Sequence, residues 1–141
     1  MNRPLAQAFP LFSPEGERLW VMGWIPEYLY PRGVPSDAAG TVFRTNHNNE
    51  DTEWLVLRYA PAEGVAEYVR ITPASRMGVV TVRAMECGGG TDVEVTYKLT
   101  SLSEAGTRTL EAMTEASYAA MLQEWERLIH EAIDANNRSD V

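Results

Sequence analysis

The 141-residue sequence predicts an α+β domain in which a seven-stranded antiparallel sheet wraps around one long C-terminal helix, with two short helices between the first two strands. Three observations carry that prediction. The β-prone segments between residues 40 and 102 are joined by connections too short for crossovers, which makes an antiparallel meander. The closing segment "TEASYAAMLQEWERLIHEAID" repeats its apolar residues at helical spacing. A sheet with one apolar face and one amphipathic helix must bury those faces against each other.

Taken in order, "PLAQAFPLF" reads as an opening strand that ends at Phe12. Ser13 then caps a helix running from Pro14 to about Val21, with Pro14 at its first position and Glu15 and Glu17 near the positive end of its dipole. Gly23 breaks that helix and Pro26 forbids its continuation, leaving room for a second short turn around Met22–Trp24. "PEYLYP" is a short strand closed by Pro31, "RGVPSDAAG" a loop, "GTVFRT" (40–45) a strand and "NHNNED" a polar turn. "TEWLVLRYA" (52–60) and "GVAEYVRIT" (64–72) flank the turn "PAEG". "RMGVVTVRAMEC" (76–87) follows "PAS", and "GGG" leads into "TDVEVTYKLTSL" (91–102).

The last strand pair defines its own faces. With Gly88 and Gly89 as a two-residue turn, Cys87 stands opposite Gly90. Val80, Val82, Ala84, Val93, Val95, Tyr97 and Leu99 then share one face, and Arg83 lies opposite Glu94 on the other. A slip by one residue would bury that charge, so the register is determined. Glu86 is the one carboxylate on the apolar side.

The preceding hairpin leaves two readings open. If Tyr59 pairs with Val65, one face holds Trp54, Val56, Arg58, Ala66, Tyr68 and Arg70, and the other Leu55, Leu57, Tyr59, Val65, Glu67, Val69 and Ile71. The second set is the more apolar, which argues for turning it inward. The first combines aromatic rings with guanidinium groups, as a ligand pocket with polar anchors would. A three-residue "PAS" loop sets Tyr68 beside Val80 and so inward; a four-residue loop sets Val69 there. The inward carboxylate of Glu86 favours the first set, because Arg58 would be its nearest cation.

In the C-terminal helix, capped by Thr114, the stripe Tyr118, Met121, Leu122, Trp125, Leu128, Ile129, Ala132 and Ile133 faces the sheet. The chain is expected to form one domain over residues 1–136, followed by a frayed polar tail at 137–141.

Composition narrows the function classes. A net charge of −8 with interspersed signs argues against a nucleic-acid partner, which would need a clustered basic surface. A single cysteine, Cys87, excludes an intrachain disulfide and points to a reducing cytoplasm; beside "GGG", with no His or Lys nearby in sequence, it reads as an inert thiol. The first residues lack the basic-then-apolar pattern of a signal peptide, and no stretch is long and apolar enough for a membrane span. His47 and His130 have no third ligand at a matching spacing, so no metal is expected. G-x-S-x-G, Walker, C-x-x-C and H-E-x-x-H motifs are absent, no cofactor is implied, and no catalytic residue is assigned.

The segments "FPLFSPEGERLWVMGW", "GTVFRT", "TEWLVLRYAPAEGVAEYVRITP", "GGGTDVEVTYKLTSLSEAG" and "YAAMLQEWERLI" together resemble the START or birch-pollen-allergen-like superfamily, SRPBCC, with its helix-grip fold. The resemblance spans nearly the whole chain. It implies an elongated cavity between the concave sheet face and the C-terminal helix that takes a small hydrophobic or aromatic molecule. The residues expected to meet that ligand are Trp24, Trp54, Arg58, Tyr68, Arg70, Glu86, Tyr97, Met121 and Trp125. Trp20 is expected as a core lid and Trp24 at the mouth. The family includes polyketide cyclases and co-chaperones, so the alternatives are a cyclase or dehydratase, with Glu86 and Tyr97 acting on an enolisable carbonyl, or a protein-interaction module. A homodimer through the convex sheet face or the "RGVPSDAAG" edge is compatible with the sequence.

Overall fold

The computed structural model describes residues 1–139, with side chains through Ala135. Six strands form one antiparallel sheet in chain order: β1 (Glu27–Tyr30), β2 (Val42–His47), β3 (Glu50–Ala60), β4 (Val65–Thr72), β5 (Arg76–Cys87) and β6 (Gly90–Ser101). Helix α1 (Leu5–Ala8) and two 3-10 turns (Phe9–Phe12 and Gly16–Leu19) precede the sheet; α2 (Glu104–Glu111) and α3 (Glu115–Ser139) follow it.

The seventh, opening strand is not formed. "PLAQAFPLF" is helical because Leu5, Ala8, Phe9 and Phe12 recur at helical spacing, and the Pro4 carbonyl accepts the Gln7 and Ala8 N–H groups at 3.0 Å each. Ala8, Phe9, Leu11 and Phe12 are all buried, which a half-buried strand could not achieve. Only a short backbone bridge reaches the β6 edge, where the Met1 amine donates to the Thr91 carbonyl and the Thr91 N–H to that of Met1. Ser13 caps as expected, its Oγ accepting the Gly16 N–H at 3.0 Å. The turn behind it stays 3-10 and short. A Cβ at Gly16 would strike the Pro10 carbonyl, so the backbones of the two 3-10 turns lie against each other.

The meander registers come close to expectation. Cys87 pairs with Gly90, Arg83 with Glu94, and Val80 with Tyr97. The β4–β5 loop has three residues, so Tyr68 pairs with Val80 and the concave face carries Tyr68 and Arg70. β3 departs from the simple pattern. Val56 pairs with Tyr68 but Arg58 with Glu67, so Leu57 is an extra residue, a β-bulge. Beyond the bulge the alternation inverts. Tyr59, not Arg58, turns inward and packs its ring on Phe9 at 5.3 Å.

Stretch 103–113 holds α2, which the sequence reading left unassigned. Ser103 caps it by accepting the Gly106 N–H and donates to the Ala74 carbonyl, tying the end of β6 to the β4–β5 turn. Thr114 caps α3 through the Ser117 N–H. The backbone of α3 remains helical to Ser139, past the expected start of a frayed tail; Asp140 and Val141 lie outside the described residues.

The core sits between the concave sheet face, the N-terminal turns and α3. Of the α3 stripe only Ile129 is fully buried, while Tyr118, Met121, Leu122, Trp125 and Leu128 are half-buried. The helix spans a hollow rather than lying flush on the sheet.

The bulge assigns opposite costs to neighbouring residues. Val56→Ala, which truncates a side chain 1% exposed, should lower unfolding free energy by about 2 kcal/mol. Leu57→Ala, at 42% exposure, should cost less than about 0.5 kcal/mol. Urea denaturation of both variants checks the pair, and a reversed order would place the bulge elsewhere.

Candidate functional site

The concave face of β2–β6 alternates large rings with small or polar groups. From β2 it presents Phe43 and Thr45, from β3 Thr52 and Trp54, from β4 Tyr68 and Arg70, and from β6 Tyr97 and Leu99. The rings interlock by edge and face. Phe43 and Trp54 stack at 5.8 Å with 3° between their planes, Trp24 meets both edge-on, and Tyr68 stands perpendicular to Trp54.

Two tryptophans from the N-terminal segment close the open side. The Trp20 indole donates to the Leu11 carbonyl and that of Trp24 to the Pro14 carbonyl, each at 2.8 Å. With both indole N–H groups satisfied, the rings can be buried against Trp125 and Trp54 respectively. Gly23, at φ +76°, turns the chain between them.

Between these walls lies a cavity of about 410 Å³. Trp24, Trp54, Arg70, Tyr97, Met121 and Trp125 line it, together with Glu17, Trp20, Glu50 and Arg76. A recess of about 30 Å³, room for a water or two, shares Glu17, Trp24, Trp54, Tyr97 and Trp125 and adds Tyr68, Val80, Val82 and Val95. Trp20, expected as core, is both a buried lid and a wall residue.

Two of the expected ligand contacts stand elsewhere. The bulge turns Arg58 to the outer face, where it is exposed and pairs with Glu63. Glu86 is exposed at the sheet end, and its Oε1 accepts the Leu5 N–H at 3.3 Å. It meets the unsatisfied N-terminus of α1 instead of an arginine. The proposed acid–base pair of Glu86 with Tyr97 is therefore not formed.

A different carboxyl occupies the interior. Glu15 is tied to Tyr28 and Arg18 by hydrogen bonds of 2.7 and 2.8 Å. Glu17, two residues on, lines the cavity, and among the described residues its carboxyl has no hydrogen-bond or ion-pair partner. Burial alone pushes its pKa up to about 8, so it holds a proton at neutral pH. Burial, and the nearness of Glu17, also raise the phenols of Tyr68 and Tyr97 above their ordinary range. The signal for Glu17 was present in the sequence only as a carboxylate beside Trp20, which suited a helix start equally well.

The far end of the cavity is cationic. Arg76 is buried and pairs in bidentate fashion with Glu50, at 2.9 and 3.0 Å, which holds the Glu50 carboxyl below its usual range. Arg70 lies 5.1 Å over the Trp54 ring and donates to Thr72 Oγ1 at 3.1 Å and Thr52 Oγ1 at 3.4 Å. Opposite Arg70 on β5 stands Gly78, where a Cβ would strike the Lys98 carbonyl, so no side chain crowds the guanidinium from that strand. The class defined here is an α+β domain whose antiparallel sheet and C-terminal helix enclose an aromatic cavity with one acidic and one cationic end.

No family model matches the sequence, and no curated protein matches it in sequence. Solved structures match it in shape. A Rhodobacter sphaeroides protein superposes with a TM-score of 0.62 at 14% identity, covering 96% of this chain and 88% of its own. An uncharacterized protein from Rhizobium leguminosarum gives 0.59 at 15% identity, over 94% and 86%. CalU16 from Micromonospora echinospora gives 0.54 at 14% identity, over 94% and 83%. At these identities the likeness establishes the fold. Among the described residues no helix is long and apolar enough to cross a membrane.

Glu17 makes stability depend on pH. Its ordinary pKa is 4.5 and its folded value about 8, so between those limits the folded chain keeps a proton that the unfolded chain has released. Stability contributed by this group is present below pH 4.5 and falls as pH rises toward 8. Glu17→Gln should match the parent at pH 5. It should exceed the parent at pH 8 by on the order of 2 kcal/mol, allowing for solvent screening of a half-buried group. Urea midpoints at the two pH values measure the gap, and a constant gap would mean that Glu17 ionises normally.

Proposed function

We propose that this chain is a helix-grip protein of the SRPBCC type that binds a small aromatic molecule in the cavity between sheet and α3. The observation that carries the reading is the 410 Å³ space walled by Trp24, Trp54, Trp125 and Met121, with a few convergent polar groups. Ligand sites have this composition: mostly apolar walls that supply affinity and sparse polar groups that set orientation. Flat ligands fit best, because the wall rings present faces and edges rather than a ladder of hydrogen-bond partners. The half-buried stripe of α3 supports the reading as well. A helix that spans a hollow can shift slightly to admit a ligand without dismantling a packed core.

The neutral ketone 2-acetylnaphthalene is a suitable probe, and calorimetric titration at pH 7 should show saturable binding with Kd on the order of 10–100 µM. Met121→Trp, which fills the cavity from α3, should weaken binding at least roughly tenfold while keeping the unfolding midpoint near that of the parent. Absence of binding, or binding indifferent to Met121→Trp, would remove the cavity from consideration.

A second reading, an enzyme of the cyclase or dehydratase type, is favoured by one observation: the proton-holding carboxyl of Glu17 on the same wall as Tyr97. The ionised fraction of a carboxyl with a pKa near 8 is a stronger base than an ordinary carboxylate. It takes the proton from the carbon beside a ligand carbonyl while the Tyr97 phenol donates a hydrogen bond to the carbonyl oxygen. The Glu17 carboxyl, after exchange with solvent, returns a proton or deuteron to that carbon. In D2O the acetyl protons of the bound ketone should then exchange on the order of a hundredfold faster with the parent than with Glu17→Gln. Equal exchange, read by proton NMR, would leave binding alone.

A further inference from the structure

Arg70 and Arg76 share the polar end of the cavity but are balanced differently. Both amino groups of Arg76 are taken up by Glu50, and Ser75 Oγ accepts a further bond at 3.0 Å. That pair is neutral. Among the described residues Arg70 forms no hydrogen bond or ion pair with a carboxylate, and Glu50 acts on it only through space. The Arg70 Nη2 reaches only the hydroxyls of Thr52 and Thr72. The buried Nε of each arginine lacks a hydrogen-bond partner among the described residues, so the difference between them is the Glu50 carboxylate. The Thr52 and Thr72 hydroxyls also bond to each other at 2.8 Å, so they are already shared. The face of Trp54 steadies the cation without neutralising it.

The charge balance around the cavity follows. Its titratable and charged lining groups are Glu17, His47, Glu50, Arg70, Arg76 and Tyr97. Glu17 is protonated at neutral pH, and Glu50 and Arg76 cancel. Among the carboxyl and guanidinium groups of this lining, one positive charge remains without an ion-pair partner, at Arg70, inside a chain whose net charge is −8. Burial first, and then the like charge of Arg76, lower the Arg70 pKa from its ordinary value, outweighing the favourable pull of Tyr97 and Glu50. An unpaired donor held this way is costly until an acceptor arrives.

We propose that the natural ligand of this cavity is an aromatic carboxylate, with its ring system between Trp54, Trp24 and Trp125 and its carboxylate on the Arg70 guanidinium. This rests on the cavity being a binding site and adds the ligand's charge and orientation. The Arg70 guanidinium, whose Nη2 is held by Thr52 and Thr72 while Nη1 makes no hydrogen bond among the described residues, suits an anionic carboxylate better than a neutral carbonyl, which can accept but brings no charge. Gly78 leaves the guanidinium uncrowded from the β5 side. Glu17 and Tyr97 also line the inner recess with Val80, Val82 and Val95, which Arg70 does not line, so the carboxyl extends to the apolar side of the cavity. The ligand's uncharged end therefore meets the protonated Glu17.

The test compares naphthalene-2-carboxylate with naphthalene-2-carboxamide, which have the same shape and differ in charge, by calorimetric titration of the full chain at pH 6. The carboxylate should bind roughly tenfold or more tightly than the carboxamide. Arg70→Gln should erase that preference, bringing the carboxylate's affinity to or below the carboxamide's, while Arg70→Lys should keep part of it. Equal affinities in the parent protein would overturn the proposal even if Arg70→Gln failed to fold, and so would a preference that survives Arg70→Gln. Binding of 2-acetylnaphthalene without a carboxylate preference would sink this inference and leave the binding reading intact. Failure of all three probes would end both.

Discussion

Leu57 has no partner on β4, and the polarity of the cavity depends on that single unpaired residue. A regular β3 would bring Arg58 to the concave face beside Ala66 and send Tyr59 outward. The bulge exchanges them. Tyr59 closes the N-terminal end against Phe9, and Arg58 leaves for the outer surface and its exposed partner Glu63. Cationic charge is thereby confined to the Arg70–Arg76 end. Without the bulge the sheet would carry guanidinium groups along most of its length, and no apolar stretch could form between Trp54 and Val82. A one-residue irregularity in the ladder thus produces a gradient of polarity along the cavity.

The same face explains why the interior stays hollow. Rings in edge-to-face contact, such as Trp24 on Trp54 and Trp20 on Trp125, are braced by hydrogen bonds from their indoles to backbone carbonyls. Side chains fixed at both ends cannot collapse into the space beside them. A dry void of about 410 Å³ would cost on the order of 10 kcal/mol, as much as a whole domain's stability, so water must occupy it when no ligand does. Glu17, Tyr97 and Arg70 give such water its partners. Ligand entry is then an exchange in which ordered water leaves polar ends and apolar walls gain contacts.

Much of the sheet was legible in the sequence because alternation and tight turns are local signals. The β5–β6 register followed from two glycines and one charge pair, Arg83 with Glu94. The opening segment reads as a strand, yet Leu5, Ala8, Phe9 and Phe12 recur at helical spacing and fold as helical turns. The bulge at Leu57 has no sequence signature, since the extra residue is neither glycine nor polar. Arg58 therefore stands on the outer face, and Glu86, whose expected inward carboxylate favoured an inward Arg58, is exposed at the sheet end on the Leu5 N–H. Glu17 was invisible for a different reason. A carboxylate in the first turn after Ser13 suits a helix start whether it points to water or inward, and only the packing of Gly16 on Pro10 turns it into the cavity.

Two carboxylates and three arginines of this sheet and its approaches obey one rule. Charges that found a full partner, Glu86 on the Leu5 N–H, Arg58 on Glu63 and Arg76 on Glu50, are settled. The two that did not, Glu17 and Arg70, both line the cavity. Burial answers the first by protonation, since a carboxyl can become neutral at modest cost. It cannot answer the second in that way, because a guanidinium stays charged throughout the physiological range. Arg70 is therefore the group whose desolvation is left to be offset from outside the chain. A neutral occupant would strip water from it and return only dipoles, while an anionic one returns the charge. On the proposed binding function, discrimination between such occupants would come from the cost of leaving Arg70 without an anionic partner, which places selectivity in a residue that the fold pairs only with hydroxyls.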